Sequence, residues 1–355
     1  MTMKRGRSIL NQCSACGIEA FLVGGAVRDY VRGSISQDLD VAAAADEADL
    51  RRCFGRVVPV GRQHDTYLIF PFGEPVEVTR MRTGLKEDLK RRDFTINAMA
   101  MDREGTLIDP YSGSRHLQEG ILASPVPETV FQEDPLRILR AVRMMTEFEL
   151  EMEPVLYEAW NRDCRRTEEV PAERLVKEMD RWRKIRWHKA SWKRAATLLL
   201  RCSLPIHPDP DQVQRFPQGE VPAAVWWALL LPEQALSMPG LAADVRRGAA
   251  SIRRAVDRVP WSDWELYQLG QKRLEETLTC LWMCGSSIDV HYWMGKYHQL
   301  PIHETSDLQV NGRDFQHLSG RDIGTLLKKL EYDVVTGQRQ NSREALMNAG
   351  RIYDD

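Results

Sequence analysis

Short apolar runs separated by turn residues dominate the first third of the chain. The run Phe21 to Val23 enters a Gly24-Gly25 turn, and a helical pattern follows from Ala26 to Arg32. Strand-like alternation of apolar and polar residues returns between residues 56 and 72 and again in Val76-Glu77-Val78. Because alternation with a period of two is typical of half-buried strands, this part of the chain predicts a β-rich region with short helices.

The remainder of the chain is predicted to be helical. From Thr129 onward apolar residues recur at helical spacing, and residues 203–222, rich in Pro, Asp and Gln, predict a long loop. Ala223 to Leu231 predicts a buried helix, and Ile323 to Val335 predicts an apolar helix near the end. Residues 1–20 predict an amphipathic helix that leads into the first strand. The chain therefore predicts an α+β protein whose strands lie in its first part.

The composition of the chain excludes only a few classes of protein. The chain has 355 residues, 43% hydrophobic and 28% charged, with a formal net charge of −2. This length predicts two to four lobes. The longest apolar run falls well short of the ~18 residues that span a bilayer, and the basic N-terminus lacks the apolar stretch of a secretory signal. We therefore expect a cytoplasmic protein, and we expect its seven scattered cysteines to be reduced thiols packed on helices.

Two aspartates after the glycine turn carry the first sign of chemistry. Asp38 and Asp40 flank Leu39, and side chains two residues apart on a strand point to the same face. Paired carboxylates are costly unless a cation lies between them, so the pattern favours a divalent metal site. Glu77 lies between two valines; it is either an exposed strand residue or a third carboxylate near this pair. The glycine turn beside them opens a helix whose free N–H groups suit an anion.

A basic cluster precedes the next apolar segment. Arg91, Arg92 and Asp93 stand directly before what reads as the start of an apolar helix. Such clusters are most often solvated surface. At the mouth of a phosphate site, guanidinium groups would suit a triphosphate and the carboxylate would suit ribose hydroxyls.

The segment from Glu133 to Arg143 is the second informative stretch. Arg137, Arg140 and Arg143 recur every three residues after Asp134, so all four are predicted to share one side of a helix with Pro135 in its first turn. A salt-bridged exposed face is the ordinary interpretation. The alternative is base recognition, because a carboxylate acceptor and a guanidinium donor match the N4, N3 and O2 groups of cytosine. Adenine fits this pair less fully, and uracil and guanine present the opposite pattern.

A basic and aromatic stretch further on leaves two alternatives open. Residues 181–194 contain seven Lys and Arg residues together with Trp182, Trp187 and Trp192. Basic residues interleaved with aromatic ones can bind RNA phosphates and stack on bases. Tryptophans five residues apart do not share one helical face, however, so at least some of them are expected in the core.

These segments together resemble a known family. LVGGAVRDYVRGSISQDLDV, RRDFTINAMA, EDPLRILRAVR, PAERLVKEM and the terminal VNGRDF…GTLLKKLEYDVVTGQRQN are similar, in order, to the motifs of bacterial class II tRNA nucleotidyltransferases, the family of CCA-adding enzymes and poly(A) polymerases. The resemblance implies a DNA polymerase β-like mixed α/β head at 1–122, followed by a helical neck at 123–202, a body at 203–300 and a tail at 301–355.

The resemblance also implies roles for individual residues. It makes Asp38 and Asp40 ligands of Mg²⁺. Glu77, from its place between two valines near this pair, is a candidate third catalytic carboxylate. It assigns nucleotide binding to a set of glycine, arginine and aspartate residues: Gly24, Gly25, Arg28, Arg92, Asp93, Asp134, Arg137, Arg140 and Arg143. The implied substrates are tRNA, at the 3′ end of its acceptor stem, and CTP, and no membrane partner is implied. His116 stands where the family has an acid, with no predicted consequence.

A missing segment refines the expected activity. CCA-adding members carry a long flexible loop before RRDFTINAMA, which helps the template helix EDPLRILRAVR switch from CTP to ATP; here only residues 81–90 intervene. Members without the loop resemble CC-adding enzymes, which leave the adenosine to a separate A-adding enzyme. We therefore expect a CC-adding enzyme. The alternatives are full CCA addition, poly(A) synthesis, a catalytically silent RNA-binding relative and a sugar transferase with a metal-binding Asp pair.

Overall fold

The computed structural model describes residues 2–35, 39–60 and 65–351. The chain divides into two compact units, one comprising residues 1–170 with 201–203, the other residues 171–200 with 204–355. The first unit holds the predicted head together with part of the predicted neck. The four-part division into head, neck, body and tail stays a prediction.

A mixed sheet forms the centre of the first unit. Among the described residues it has the order β3-β4-β5-β2-β1-β6-β7. The pairing of β2 with β5 is parallel, and the other pairings are antiparallel. The strands are β1 (Ala20–Val23), β2 (Asp40–Ala43), β3 (Val57–Val60), β4 (Thr66–Ile69), β5 (Val76–Arg80), β6 (Ala100–Met101) and β7 (Leu107–Ile108).

Helices cover both faces of this sheet. The bounds in the first unit are α1 (Thr2–Ala15), α2 (Gly25–Val31), α3 (Glu47–Phe54), α4 (Leu85–Lys90), α5 (Gly113–Glu119), α6 (Val130–Glu133), α7 (Leu136–Phe148) and α8 (Pro154–Asp163). Alternate residues of the central strands belong to two different apolar clusters. Leu22 and Val41 pack with residues of α1 and α3, whereas Val23 and Ala42 pack with Leu89 of α4. Asp40, two residues before Ala42, belongs to this second face.

Two details differ from the sequence prediction. RRDFTINAMA does not begin a helix; Thr95–Asn97 form a single 3₁₀ turn that leads into β6. The helical region also contains β9 (Glu151–Met152), which pairs in parallel with β8 (Ile121–Leu122). The predicted α+β class, with a mixed head followed by helices, is confirmed.

The cysteine prediction is wrong for one pair. Cys16 and Cys53 form a disulfide with their Cα atoms 5.9 Å apart. The physical reason is that α1 and α3 pack on the same apolar cluster, which brings the ends of the two helices together. Cys13, also buried in that cluster, stays free, and burial raises its pKa to about 11.

The two edges of the sheet are built differently. β3 forms one edge, where Val58 and Val60 are exposed on either side of Pro59. The other edge is β7, which is two residues long. Proline lacks the N–H group that a further strand would need, so it is tolerated only at such an edge.

The described residues of the second unit form helices joined by loops, with no strand among them. Its helices are α9 (Ala172–Trp182), α10 (Lys189–Leu199), α11 (Ala223–Leu230), α12 (Ala243–Val256), α13 (Asp263–Met283), α14 (Val290–His298), α15 (Gly320–Val335) and α16 (Arg343–Arg351). The predicted buried helix and terminal apolar helix are confirmed as α11 and α15. Among the described helices, none combines the length and apolar character needed to cross a membrane.

The tryptophans of the basic stretch belong to the core of this unit. Trp182, Trp187 and Trp192 are buried. The ring of Trp187 lies 5.5 Å from that of Trp192 and 6.0 Å from that of Trp226, measured between centroids. These rings cannot stack on RNA bases, so that alternative is wrong for them. The Lys184, Arg186 and Lys189 side chains remain exposed.

Candidate active site

Two of the three predicted catalytic carboxylates meet on adjacent strands. Asp40 opens β2 and stands in register with Glu77 of β5, across the parallel pairing of the two strands. Asp40 is half-buried and Glu77 is exposed. Asp38, the other predicted metal ligand, lies outside the described residues. Carboxylate oxygens are the ligands that Mg²⁺ prefers, so Asp40 with Glu77 is a donor set that fits this ion.

Gly24 lets a cation and a carboxylate approach the same point of the backbone. Its φ of 70° falls in the left-handed region that favours glycine. A Cβ atom here would lie 3.0 Å from Nη1 of Arg92 and 3.1 Å from Oδ2 of Asp40. The glycine turn therefore brings the predicted phosphate-binding arginine and the predicted metal ligand to one place.

Arg92 carries a donor that no acceptor in residues 2–35, 39–60 and 65–351 reaches. Its Nη2 donates to Oδ2 of Asp88 at 3.3 Å, within helix α4 and the turn that follows it. Its Nε is buried, and no hydrogen-bond acceptor among the described residues reaches it. Because buried N–H groups are nearly always paired, this orphaned donor indicates a site suited to an anion.

Asp93 is engaged with the helix predicted to recognise the base. The buried carboxylate accepts hydrogen bonds from Nε of Arg140 at 2.7 Å, from Nδ2 of Asn97 at 3.0 Å and from its neighbour Phe94 N at 2.9 Å. Burial alone would raise the pKa of Asp93, but the charge of Arg140 and these hydrogen bonds outweigh it and bring the pKa down to about 2. Asp93 and Arg140 are thus partners of each other, a contact not predicted from the sequence.

Asn97 is a site residue that the sequence interpretation missed. Its Oδ1 accepts from Nη1 of Arg28 at 2.7 Å while its Nδ2 donates to Asp93. Arg28 also donates to Oδ1 of Asp29 at 2.8 Å. Asn97 therefore joins α2 to the Asp93–Arg140 pair. The available signal was its place in the RRDFTINAMA segment, four residues after Asp93.

The predicted base-recognition pair lies at the start of α7. Asp134 is not part of that helix: it is extended, with φ of −150°, and its Oδ1 accepts from Leu136 N at 3.1 Å. The residue before a proline is disfavoured in helical conformation, so Pro135 excludes Asp134 from the helix. Arg137 donates through Nη2 to the carbonyl oxygen of Arg91 at 2.7 Å. Asp134 and Arg137 are both half-buried.

The structure also locates three other residues that were named from the sequence. Arg143 donates to Oε2 of Glu147 at 2.7 Å on its own helix and is buried. Gly25 begins α2, and a Cβ atom there would lie 3.5 Å from Nη2 of Arg28. Nδ1 of His116 lies 2.9 Å from Oγ1 of Thr95, so the residue that departs from the family pattern ties α5 to the 3₁₀ turn.

Two protein-family profiles match this chain, one near its beginning and one near its end. Residues 20–84 and 82–123 match the family profile of the poly A polymerase head domain, and residues 241–349 match that of tRNA nucleotidyltransferase domain 2. The chain is 30% identical to a CC-adding tRNA nucleotidyltransferase of Halalkalibacterium halodurans, over 97% of this chain and 96% of that one. It is 29% identical to a CCA-adding enzyme of Lactobacillus delbrueckii subsp. bulgaricus, over 95% of each chain.

The fold has close solved counterparts. The structure matches that of the Bacillus stearothermophilus CCA-adding enzyme in complex with CTP, with a TM-score of 0.79 and 25% identity over 99% of this chain and 98% of that one.

The fold and these matches define a nucleotidyltransferase. More particularly, the chain belongs to the tRNA nucleotidyltransferase family that contains the CCA-adding and CC-adding enzymes. The resemblance noted in the sequence motifs is confirmed.

Proposed function

We propose that this enzyme adds two cytidines from CTP to the 3′ end of tRNA and stops there. The observation that carries the proposal is the short connection in the head: β5 ends at Arg80 and α4 begins at Leu85. Residues 81–84 leave no length for a flexible loop that could re-set the base-recognition residues after the second addition. The CC-adding relative from H. halodurans supports the same activity.

Metal binding in this proposal rests on the carboxylates of β2 and β5. Asp40, with Asp38 and Glu77, would hold Mg²⁺ beside the Gly24 turn. When bound, the metal supplies positive charge that stabilises the attacking 3′ oxygen and the leaving pyrophosphate. Arg92, with its orphaned Nε and with Nη1 beside the same point of Gly24 as Asp40, binds the triphosphate.

Base selection in this proposal belongs to Asp134 and Arg137. A guanidinium has five N–H donors. Nη1 of Arg137 donates to Glu133 and to the Val130 carbonyl, and Nη2 donates to the Arg91 carbonyl, which leaves Nε and one hydrogen of Nη2 for the O2 and N3 of cytosine. The carboxylate of Asp134 accepts from the N4 amino group. Because Arg137 is bound to the head through Arg91, this arrangement is held in one geometry, which favours CTP at both additions.

Three nucleotide conditions test the proposal directly. Purified enzyme with Mg²⁺ and a tRNA that lacks its 3′ CCA is given CTP, ATP or both, and the products are resolved on a sequencing gel. We expect extension by two nucleotides with CTP, with or without ATP, and only slow residual incorporation with ATP alone. Efficient extension by three, ending in A, would support full CCA addition instead, and ATP-dependent tailing of unrelated RNA would support a poly(A) polymerase.

The exposed cations between the end of α9 and the first residue of α10 are proposed to hold tRNA phosphates. Replacing Lys184, Arg186 and Lys189 together with glutamine is expected to weaken tRNA binding. The slope of log Kd against log salt should also fall by about 1 for each phosphate that the variant no longer neutralises. Filter binding between 50 and 300 mM salt measures both. Arg51→Gln is a matched control, because that exposed cation already pairs with Glu47; an unchanged slope in the triple variant would place the RNA elsewhere.

A further inference from the structure

The last residue of α7 is held between two cations of the head. The ring of Phe148 lies 4.4 Å from the guanidinium carbon of Arg28 and 4.6 Å from that of Arg32, measured to the ring centroid. Both arginines belong to α2 and its C-terminal end. Phe148 is buried at this contact, whereas Arg32 is largely exposed. We call Phe148 with Arg28 and Arg32 the cation–π clamp.

The clamp contacts the end of helix α7, and two arginines earlier in this helix are also bound to the head. Arg140 is bound to Asp93, and Arg137 to the carbonyl of Arg91. Phe148 lies eight residues after Arg140, which is about 12 Å along the helix axis. Asp134 lies six residues before Arg140, about 9 Å along the same direction, so a tilt of α7 by about 6° about Arg140 would move Asp134 by roughly 1 Å, opposite to the movement of Phe148.

Such a displacement matters for hydrogen bonds to a base. These bonds have narrow distance and angle ranges, and misplacement by about 1 Å can cost as much as a hundredfold in rate. Arg28 is itself fixed in the head by its hydrogen bonds to Asn97 and Asp29, so the ring of Phe148 packs on an immobilised guanidinium.

We propose that Phe148 is a positioning residue for nucleotide choice. Held between Arg28 and Arg32, it fixes the direction of α7 so that Asp134 and Arg137 keep the arrangement that favours cytosine. This inference rests on the proposed function, because it assumes that these two residues select CTP. Phe148 itself touches neither nucleotide nor metal in this account; its effect passes through the helix.

The test compares the choice between nucleotides rather than the total rate. Phe148→Leu keeps an apolar side chain but removes the ring, and we expect the ratio of kcat/KM for CTP to that for ATP to fall about tenfold. Phe148→Tyr keeps the ring and should retain the wild-type ratio. Met145→Leu, at a buried position of the same helix outside the clamp, is the matched control and should also leave the ratio unchanged.

Arg32 supplies an independent variant that keeps the core intact. Arg32→Gln removes one exposed cation and is expected to shift the ratio in the same direction by a smaller factor, and the double variant with Phe148→Leu should be no worse than Phe148→Leu alone. This variant carries the test if Phe148→Leu does not fold. A purely structural role would lower kcat or the melting temperature without moving the nucleotide ratio.

The outcomes separate the two proposals. Wild-type enzyme that shows no preference for CTP would overturn the proposed function and this inference together. Wild-type enzyme that prefers CTP, with ratios unmoved in both Phe148→Leu and Arg32→Gln, would overturn the inference alone and leave the proposed function standing. A ratio that changes equally in Met145→Leu would also overturn it, since the effect would then not belong to the clamp.

Discussion

Replacing Asp40 with asparagine should reduce nucleotide incorporation at least about a thousandfold while leaving tRNA affinity within about twofold. Asparagine keeps the size and shape of the side chain on β2, so the sheet is not disturbed. It removes the negative charge that a divalent metal requires of its ligands. Single-turnover incorporation with saturating CTP and Mg²⁺ measures the first quantity, and filter binding measures the second.

Two further variants make the Asp40 result specific. Glu77→Gln tests the neighbouring carboxylate in register with Asp40, and a large loss there would assign Glu77 to the same metal site. Glu74→Gln removes an exposed carboxylate of the same unit, paired only at the surface with Arg5, and should leave incorporation unchanged. If Asp40→Asn kept its turnover, the metal assignment would be wrong. If wild-type enzyme bound tRNA without incorporation, the silent RNA-binding alternative would hold.

Removing Arg140 should destabilise the first unit by about 2 to 4 kcal/mol at pH 7. The Arg140→Met variant keeps the length of the side chain but leaves the buried carboxylate of Asp93 without its cation. The hydrogen bonds from Asn97 and Phe94 remain, so the loss should stay below that of an isolated buried charge. Denaturant unfolding measures the change, and Arg166→Met, which breaks a more exposed ion pair with Glu169, is expected to cost clearly less.

The same pair predicts how stability depends on pH. The pKa of Asp93 is about 2 in the folded chain against an ordinary value of 3.8, so the unfolded chain binds the proton more readily. Its contribution, on the order of 2 kcal/mol, is therefore complete above pH 3.8 and is lost as the pH falls toward 2. The difference in free energy of unfolding between wild type and Arg140→Met should shrink over this range. A difference that stays constant from pH 6 to pH 2.5 would contradict the assignment.

Much of the head could be predicted because its signals are local. In the head, the alternation of β3, β4 and β5 and the glycine turn are each set by a few neighbouring residues. The same holds for the apolar run of α11 in the second unit. The spacing of Asp134 to Arg137 fits a helix and predicts one there, whereas the local effect of Pro135 excludes Asp134 from it. The effect of Pro135 on the residue before it is therefore the local signal that marks where the helix begins.

The contacts that organise the site could not be predicted from spacing. Arg140 and Asp93 are far apart in sequence, and the motifs assign each of them to the nucleotide rather than to the other. The same holds for Cys16 with Cys53, whose pairing depends on how two helices pack on one cluster. The tryptophans of the basic stretch have a composition typical of RNA-binding segments, but only packing decides that their rings are buried.

The edges of the head sheet have a consequence for the behaviour of the protein in concentrated solution. An exposed edge strand offers unpaired N–H and C=O groups to another chain and can seed aggregation. On β3, Pro59 has no N–H group to give to an added strand, although Val58 and Val60 are exposed there. At the other edge, β7 is too short to support a stable added strand. Among the described residues, neither edge of the sheet therefore presents a long, uninterrupted strand to which a second copy could add.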